Sequence, residues 1–359
     1  MIVDVTPDSM LGFVPQPNLR TILMQKILFI ELLGGIGDVL IALNAIHALA
    51  QTYPTAELTV LTFPPGDELL KSDPRIKRVI CAERGKVKQS VIQLLTNENF
   101  DLIVSDTNYD NIDLEIRELA SLHGTRLVTN LWRQPPPDEK VGDRFIKILQ
   151  AEGLISSNTI KSTQLHLTNE ELNRAQEQFS NIHRPLVFLC PDAGMAIKRW
   201  SEGNFITLGQ ILQQRWKATV VVPVGSDEQQ ALSITQGIGS EAQILPRRKL
   251  RDFAAALSCA DLVIASDTGP ARIAAALNVL TITLFGPSWY GRYGQPSPHI
   301  NLQGYPECPE RNISNFTVQK CWYGGLCPLD KGWQSCMEGI SVDEVLAVVE
   351  EILHKPQRC

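Results

Sequence analysis

At 359 residues the chain is too long for one ordinary hydrophobic core, and the usual range of domain sizes gives two domains. Hydrophobic residues make up 44% and charged residues 20%, a globular composition, and no apolar run is long enough to span a bilayer. A net charge of -6 argues against a general nucleic-acid binder, which needs a basic surface.

Residues 1–23 carry Pro7, Pro15 and Pro17 and no apolar core of signal-peptide type, which points to a cytoplasmic protein; with Met24 directly before the first strand, they read either as a disordered tail or as an extension upstream of the true start. Lys26 to Leu33 reads as a strand, Gly34 to Gly37 as a glycine-rich turn, and Asp38 to Gln51 as a helix with apolar residues at 39, 40, 43, 46 and 49. Strands at 57–62, 79–81, 101–105 and 126–131 then alternate with helical patterns near 87–97, 112–122 and 140–152. That alternation predicts a doubly wound parallel sheet. After a helix near 170–180 a second series starts at Pro185: strand 186–190, helix 202–215, strand 218–224, helices 227–237 and 249–258, strand 262–266, helix 270–277 and strand 280–285. Residues 287–340 break the pattern with prolines, aromatics and four cysteines, and a last helix spans 342–353. The expected division is a tail at 1–23, an N-terminal Rossmann-like domain at 24–180, a C-terminal one with its cysteine-rich loop at 181–340, and a closing helix and tail at 341–359. Ligands of such paired α/β domains sit at the carboxyl ends of the strands, in the cleft between the domains.

Gly34-Gly35-Ile36-Gly37-Asp38 follows the first strand, where Gly35 and Gly37 let the backbone turn tightly and approach a ligand. It is not the dinucleotide fingerprint, because the glycine spacing differs and the second strand ends Leu61-Thr62-Phe63 with no acidic residue. Asp38 has two readings, the cap of the following helix or a general base at the cleft. Lys198-Arg199-Trp200-Ser201 precedes a helix, and Lys198 there either meets a phosphate as a point charge or sits solvated on the surface. Glu228, after Gly225-Ser226-Asp227, either bonds ribose hydroxyls or complements a helix dipole. The basic cluster Arg247, Arg248, Lys249 and Arg251 lies beside a helix start and reads as a solvated face. The most informative stretch is 261–276, where a buried strand ends in Asp267 and a helix opens at once with Thr268 and Gly269. The first amides of that helix have no intrahelical partner and suit a phosphate.

The order Gly37-Asp38-Val39-Leu40, Lys198-x-Trp200, Gly225-x-x-Glu228, Asp267-Thr268-Gly269-Pro270 and Phe285-Gly286-Pro287 resembles glycosyltransferase family 9, the ADP-heptose lipopolysaccharide heptosyltransferase family, over most of residues 26–353. The resemblance implies a GT-B fold, two Rossmann-like doubly wound parallel-sheet domains facing across a cleft, with the acceptor on the N-terminal side and the nucleotide sugar on the C-terminal side. It implies inverting transfer of a heptose or similar sugar from a nucleotide-sugar donor, ADP-linked in the first instance, to lipopolysaccharide or another envelope glycan or glycolipid. Such an enzyme works in the cytoplasm or peripherally at the inner face of the cytoplasmic membrane. By family analogy Asp38 is the base, Lys198, Thr268 and Gly269 meet the diphosphate, Asp267 contacts the donor, and Glu228 lies near the nucleoside. Three positions depart from the family's usual pattern: Arg272 stands where His is common, Asp192 where Gly is common, and Ser201 in place of Pro. Arg272 can grip an oxyanion with two parallel bonds but cannot shuttle protons. A carboxylate at Asp192 beside a diphosphate is unfavourable unless it faces away. No Asp-x-Asp signature follows a strand, so leaving-group charge falls to lysine and helix amides, and no divalent metal or other cofactor is implied. A nucleotide-sugar epimerase or hydrolase of the same build and a noncatalytic nucleotide-sugar or glycan binder are the rival readings.

Cys308, Cys321, Cys327 and Cys336 fit no standard zinc pattern of two close pairs. A structural zinc at these four, a disulfide such as Cys321 with Cys327, and reduced thiols all stay open. Cys81, Cys190 and Cys259 read as small buried apolar groups, and Cys359 as a tail thiol.

Overall fold

The computed structural model describes residues 24–107, 111–133, 138–157, 164–313, 315–329 and 335–353; the expected tail at 1–23 and Cys359 lie outside them. Two parallel sheets organise the chain. The first contains β1 (Lys26–Ile30), β2 (Glu57–Thr62), β3 (Arg78–Cys81), β4 (Leu102–Ser105) and β5 (Arg126–Val128) in the order β3-β2-β1-β4-β5. The second contains β6 (Leu186–Cys190), β7 (Thr219–Pro223), β8 (Gln243–Leu245), β9 (Leu262–Ser266), β10 (Thr281–Phe285) and β11 (Ile300–Gln303) in the order β11-β10-β9-β6-β7-β8. Helices cover both faces, so β4, β6, β9 and β10 are buried residue for residue. This is the GT-B architecture, and in each sheet the strand order reverses once near the centre: between β1 and β4 in the first, between β6 and β9 in the second. Crevices form at such reversals, beyond the carboxyl ends of the strands.

Several short elements fall where none was expected, among them the helices Tyr290–Tyr293, Lys320–Gly324 and Ser335–Glu338 in the irregular stretch. β8 and β11 are edge strands of three and four residues, too short to show a period, and the helix Gly66–Leu70 is a single turn. β1 and β5 stop at Ile30 and Val128, short of the apolar runs that suggested them. Leu32 and Leu131, beyond those ends, stay buried in loop backbone.

The two halves are also joined through Arg251, in the first turn of the helix Leu250–Leu257. Its guanidinium makes two parallel bonds to Glu171, Nε to Oε1 at 2.5 Å and Nη2 to Oε2 at 2.6 Å. It also donates to the carbonyls of Glu68 (3.3 Å), Leu69 (3.0 Å) and His166 (3.1 Å). Arg251 therefore does not belong to a solvated face. Its side chain is only 13% exposed, and its bonds hold the Glu171 carboxyl well below the ordinary range against the effect of burial.

The reversal in the first sheet ends in two buried carboxyls, Glu31 after β1 and Asp106 after β4, which are 0% and 1% exposed. Glu31 Oε1 accepts from the Leu33 amide (3.0 Å) and Oε2 from the Thr62 hydroxyl (2.5 Å). Thr107 donates to Asp106 Oδ1 (3.0 Å) and accepts from the Leu32 amide (3.2 Å). Among the described residues no lysine or arginine pairs with either carboxyl, and Asp106 Oδ2 is buried without a hydrogen-bond partner. Burial therefore raises both: Glu31 to about 7, with the Asp38 charge adding to the effect, and Asp106 well above its ordinary value, with the Glu31 charge adding. Both shifts favour the protonated form of the pair. Glu31 thus contributes stability that is complete below the unfolded value of 4.5 and is lost as pH rises through about 7. Glu31→Gln keeps the shape and the acceptor for Leu33, so the variant should gain on the wild type by about 1 to 3 kcal/mol between pH 5 and pH 8. Urea unfolding at the two pH values checks this, and a difference that does not change with pH overturns it.

Candidate active site

The glycine turn after β1 is held from two sides. Gly34 takes φ +99°, a conformation that L side chains rarely adopt, and its carbonyl accepts from Arg84 Nη2 at 2.7 Å. Glu31 grips the neighbouring Leu33 amide. The helix Ile36–Thr52 then starts from Gly35 as its cap. Asp38 is its third residue rather than the cap, and Oδ2 accepts from the Gly35 amide at 3.0 Å. Oδ1 has no protein partner among the described residues, and the side chain lines the cleft. Burial raises the Asp38 carboxyl above the usual range; Arg272, the Gly35 amide and Lys198 oppose the shift without cancelling it.

Across the cleft, β9 delivers Asp267, 6% exposed, to the centre of a small ionic network. Lys198, at the end of the short turn Ala196–Lys198 after β6, donates from Nζ to Asp267 Oδ2 at 2.9 Å and to the Asp267 carbonyl at 3.2 Å. Arg272 Nη2 donates to Asp267 Oδ1 at 3.3 Å and to the Tyr293 carbonyl at 2.7 Å. Ser288 donates to Oδ2 at 2.6 Å. Burial alone would raise Asp267, but the two cations and the hydroxyl outweigh it and hold the carboxyl below its ordinary value. With one carboxylate shared by two cations, this side of the cleft keeps unspent positive charge.

Thr268 caps the eight-residue helix Gly269–Ala276 without a side-chain cap bond, since its hydroxyl donates to the Ser266 carbonyl instead at 3.3 Å. Pro270 has no amide hydrogen, so the Gly269 and Ala271 amides are the donors left open at this helix start. The first turns of this helix and of the Asp38 helix lie against each other. A Cβ on Gly269 would lie 3.4 Å from Ile36 Cγ2, and a Cβ on Gly37 would lie 3.0 Å from Arg272 Cδ. Gly37 is what lets Arg272 pass from one half onto the other.

One cavity of about 640 Å³ takes in Asp38, Gly35, Gly37, Lys198, Asp267, Thr268, Gly269 and Arg272. The exception is Glu228, which is exposed in the first turn of the helix Glu228–Ile238 and does not line the cavity, although Gly225 and Ser226 before it do. Asp192 also lines the cavity, but its charge is answered: Oδ1 pairs with Arg199 Nη2 at 2.9 Å, and Oδ2 accepts from the Ser226 amide at 2.5 Å. Arg247, which is exposed, and the half-buried Arg248 border the cavity too, with Leu250 and Phe253.

Several lining residues carried no sequence signal. Ser288, Tyr293, Phe316 and Trp322 all come from the irregular stretch after β10. Behind Trp322, Cys308, Cys321, Cys327 and Cys336 border one small cavity with Arg311 and Gln319. All four are free thiols, and burial pushes Cys336 up to about 12. Among the described residues no three His, Cys, Asp or Glu groups are arranged to hold a metal ion. Of the remaining cysteines Cys190 is buried and Cys259 half-buried, but Cys81 is exposed, because it ends the partly covered edge strand β3.

Comparison with known proteins agrees with this geometry. The family model for glycosyltransferase family 9 (heptosyltransferase) matches residues 130–319, more than half of the chain. Lipopolysaccharide core heptosyltransferase OpsX of Haemophilus influenzae is 24% identical over 349 residues, 91% of this chain and 97% of that protein. Among solved structures, the glycosyl transferase family 9 protein from Veillonella parvula superposes with a TM-score of 0.76 at 17% identity, covering 92% of this chain and 98% of that one. The E. coli ADP-heptose lps heptosyltransferase II gives 0.66 at 19% identity, with the same coverage of 92% and 98%. The chain belongs to glycosyltransferase family 9, the heptosyltransferase family.

Proposed function

We propose that this glycosyltransferase moves a heptose or closely similar sugar from an ADP-linked donor to a lipopolysaccharide core or related envelope glycolipid, with inversion at the anomeric carbon. The observation that carries the reading is the opposition of Asp38 to the Lys198–Asp267–Arg272 network within one cavity. Asp38 Oδ1 takes the proton of an acceptor hydroxyl as that oxygen attacks the anomeric carbon, and the nucleoside diphosphate departs from the opposite face. Lys198, Arg272 and the open amides of Gly269 and Ala271 receive the leaving charge, so the proposal routes no step through a divalent metal. Leu250, Phe253 and Arg247, which line the same cavity, are the natural seat for the nucleoside. ADP-heptose as donor and lipopolysaccharide as acceptor are named for the E. coli relative, and they suit this site's two cations and its open, two-sided cleft.

A glycolipid acceptor asks the enzyme to work at a membrane surface. Among the described residues no helix is long and apolar enough to cross a membrane. Val318, Tyr323 and Leu326, which are 61%, 77% and 65% exposed, lie on the same arm that brings Trp322 to the cavity and give that arm an apolar outer side. We assign peripheral contact with the acceptor-bearing membrane to this side.

Asp38→Asn should abolish transfer to lipopolysaccharide extract while changing ADP affinity only a few fold; equal turnover by wild type and variant sinks the base assignment. Because burial raises Asp38, wild-type kcat/KM should fall as pH drops through a value above the ordinary aspartate range, with the carboxylate form the active one. Lys198→Met should weaken ADP binding by about 1 to 3 kcal/mol through the loss of one charge-assisted contact, as read by calorimetry. In a thermal-shift series, ADP-heptose should raise the melting temperature more than GDP- or UDP-sugars; a preference for another base corrects the donor.

A further inference from the structure

A lysine ammonium on a four-carbon stem is a mobile point charge, and one carboxylate contact leaves it many directions. Lys198 does not have that freedom. Its side chain is 14% exposed, and Nζ is held by Asp267 Oδ2 at 2.9 Å and by the Asp267 carbonyl at 3.2 Å. A third side of the ammonium is closed by the Trp322 ring, whose centroid lies 4.8 Å from Nζ. Trp322 reaches this place from the helix Lys320–Gly324 in the cysteine-rich arm, more than a hundred residues along the chain from Lys198.

The indole is itself braced. Phe316 packs on it with centroids 4.2 Å apart, Tyr293 packs on Phe316 at 5.3 Å, and Trp132 of the N-terminal half packs on Tyr293 at 6.3 Å. Just before the helix, the Gln319 amide donates to the Pro287 carbonyl at 3.1 Å, and its oxygen accepts from the Asn312 amide at 2.7 Å. The arm therefore presents the ring in a fixed pose at the end of the cavity where Asp38, Asp267 and Arg272 converge.

We propose that Trp322 is a positioning residue for donor binding: its indole face and Asp267 together hold the Lys198 ammonium so that its remaining open side meets the diphosphate. A diphosphate entering the site competes with Asp267 for Lys198, and Asp267 keeps Arg272 and Ser288 when it yields. The indole carries no charge to be displaced, so the attraction of its π face for the ammonium persists while the anionic partner changes. The inference rests on the donor reading above and extends it to the cysteine-rich arm, which becomes part of the donor site.

The test is calorimetry with ADP on wild type, Trp322→Phe, Trp322→Leu, Lys198→Met and the Lys198→Met/Trp322→Leu double variant. Trp322→Phe, which keeps an aromatic face, should stay within about threefold of wild type, whereas Trp322→Leu should bind about 3- to 30-fold more weakly. In the Lys198→Met background Trp322→Leu should add less than about twofold, since its effect passes through the lysine. An unweakened Trp322→Leu, or a full effect that survives in the Lys198→Met background, overturns the proposal. A second measurement needs neither ligand nor the leucine variant. The Trp322 emission, taken as wild type minus Trp322→Phe, should shift when Lys198 is changed to Met, and an unmoved spectrum counts against the proposal. If ADP fails to bind the wild type, the donor reading falls, and the spectral shift still decides whether Trp322 fixes Lys198.

Discussion

Asp267 is one buried carboxylate that must satisfy two cations and a hydroxyl. Everything around the cleft follows from that shortage. Lys198 comes from the loop after β6, Arg272 from the helix that β9 feeds, and Ser288 from the turn after β10, so the carboxylate ties the ends of three neighbouring strands together. In this buried setting the excess of cations leaves the site short of negative charge, the condition a departing diphosphate meets. Arg272 carries the constraint into the other half, since its stem crosses Gly37 and its charge is the strongest of those opposing the rise of Asp38.

The two halves of the cleft solve burial of charge in opposite ways. At the reversal of the second sheet the carboxylate is ionised and paired. At the reversal of the first, Glu31 and Asp106 have no cation partner among the described residues, and burial raises both instead. Both arrangements serve backbone geometry as much as electrostatics. Glu31 fixes the amide before the glycine turn, and Arg84 fixes the carbonyl within it, so the helix bearing Asp38 starts from a turn gripped on both sides.

Much of this was legible in the sequence because it is local. Strand 262–266 running into Asp267-Thr268-Gly269 announces a ligand edge from a few adjacent residues, and the glycine turn with Asp38 does the same. What escaped depends on partners far along the chain. Asp192 looked hostile to an anion only because Arg199 and Ser226 were not known to answer it. Within the cluster at 247–251 charge patterning cannot reveal that Arg251 is spent on Glu171 and three carbonyls, or that Arg247 and Arg248 border the cavity. Trp322 and Phe316 sit in a stretch with no hydrophobic period, where neither helix nor strand reasoning assigns a side chain a direction. Nothing in the sequence marks Glu31 as a buried carboxyl that holds the Leu33 amide before the turn.

The Arg251 joint is unusual in what it grips. Apart from Glu171, its partners are the main-chain oxygens of residues 68, 69 and 166, which every amino acid carries. Side chains at those three positions can vary without loosening the attachment. This joint between the halves is thus insulated from change in the surface around it, and only two residues, Arg251 and Glu171, bear its full chemical identity.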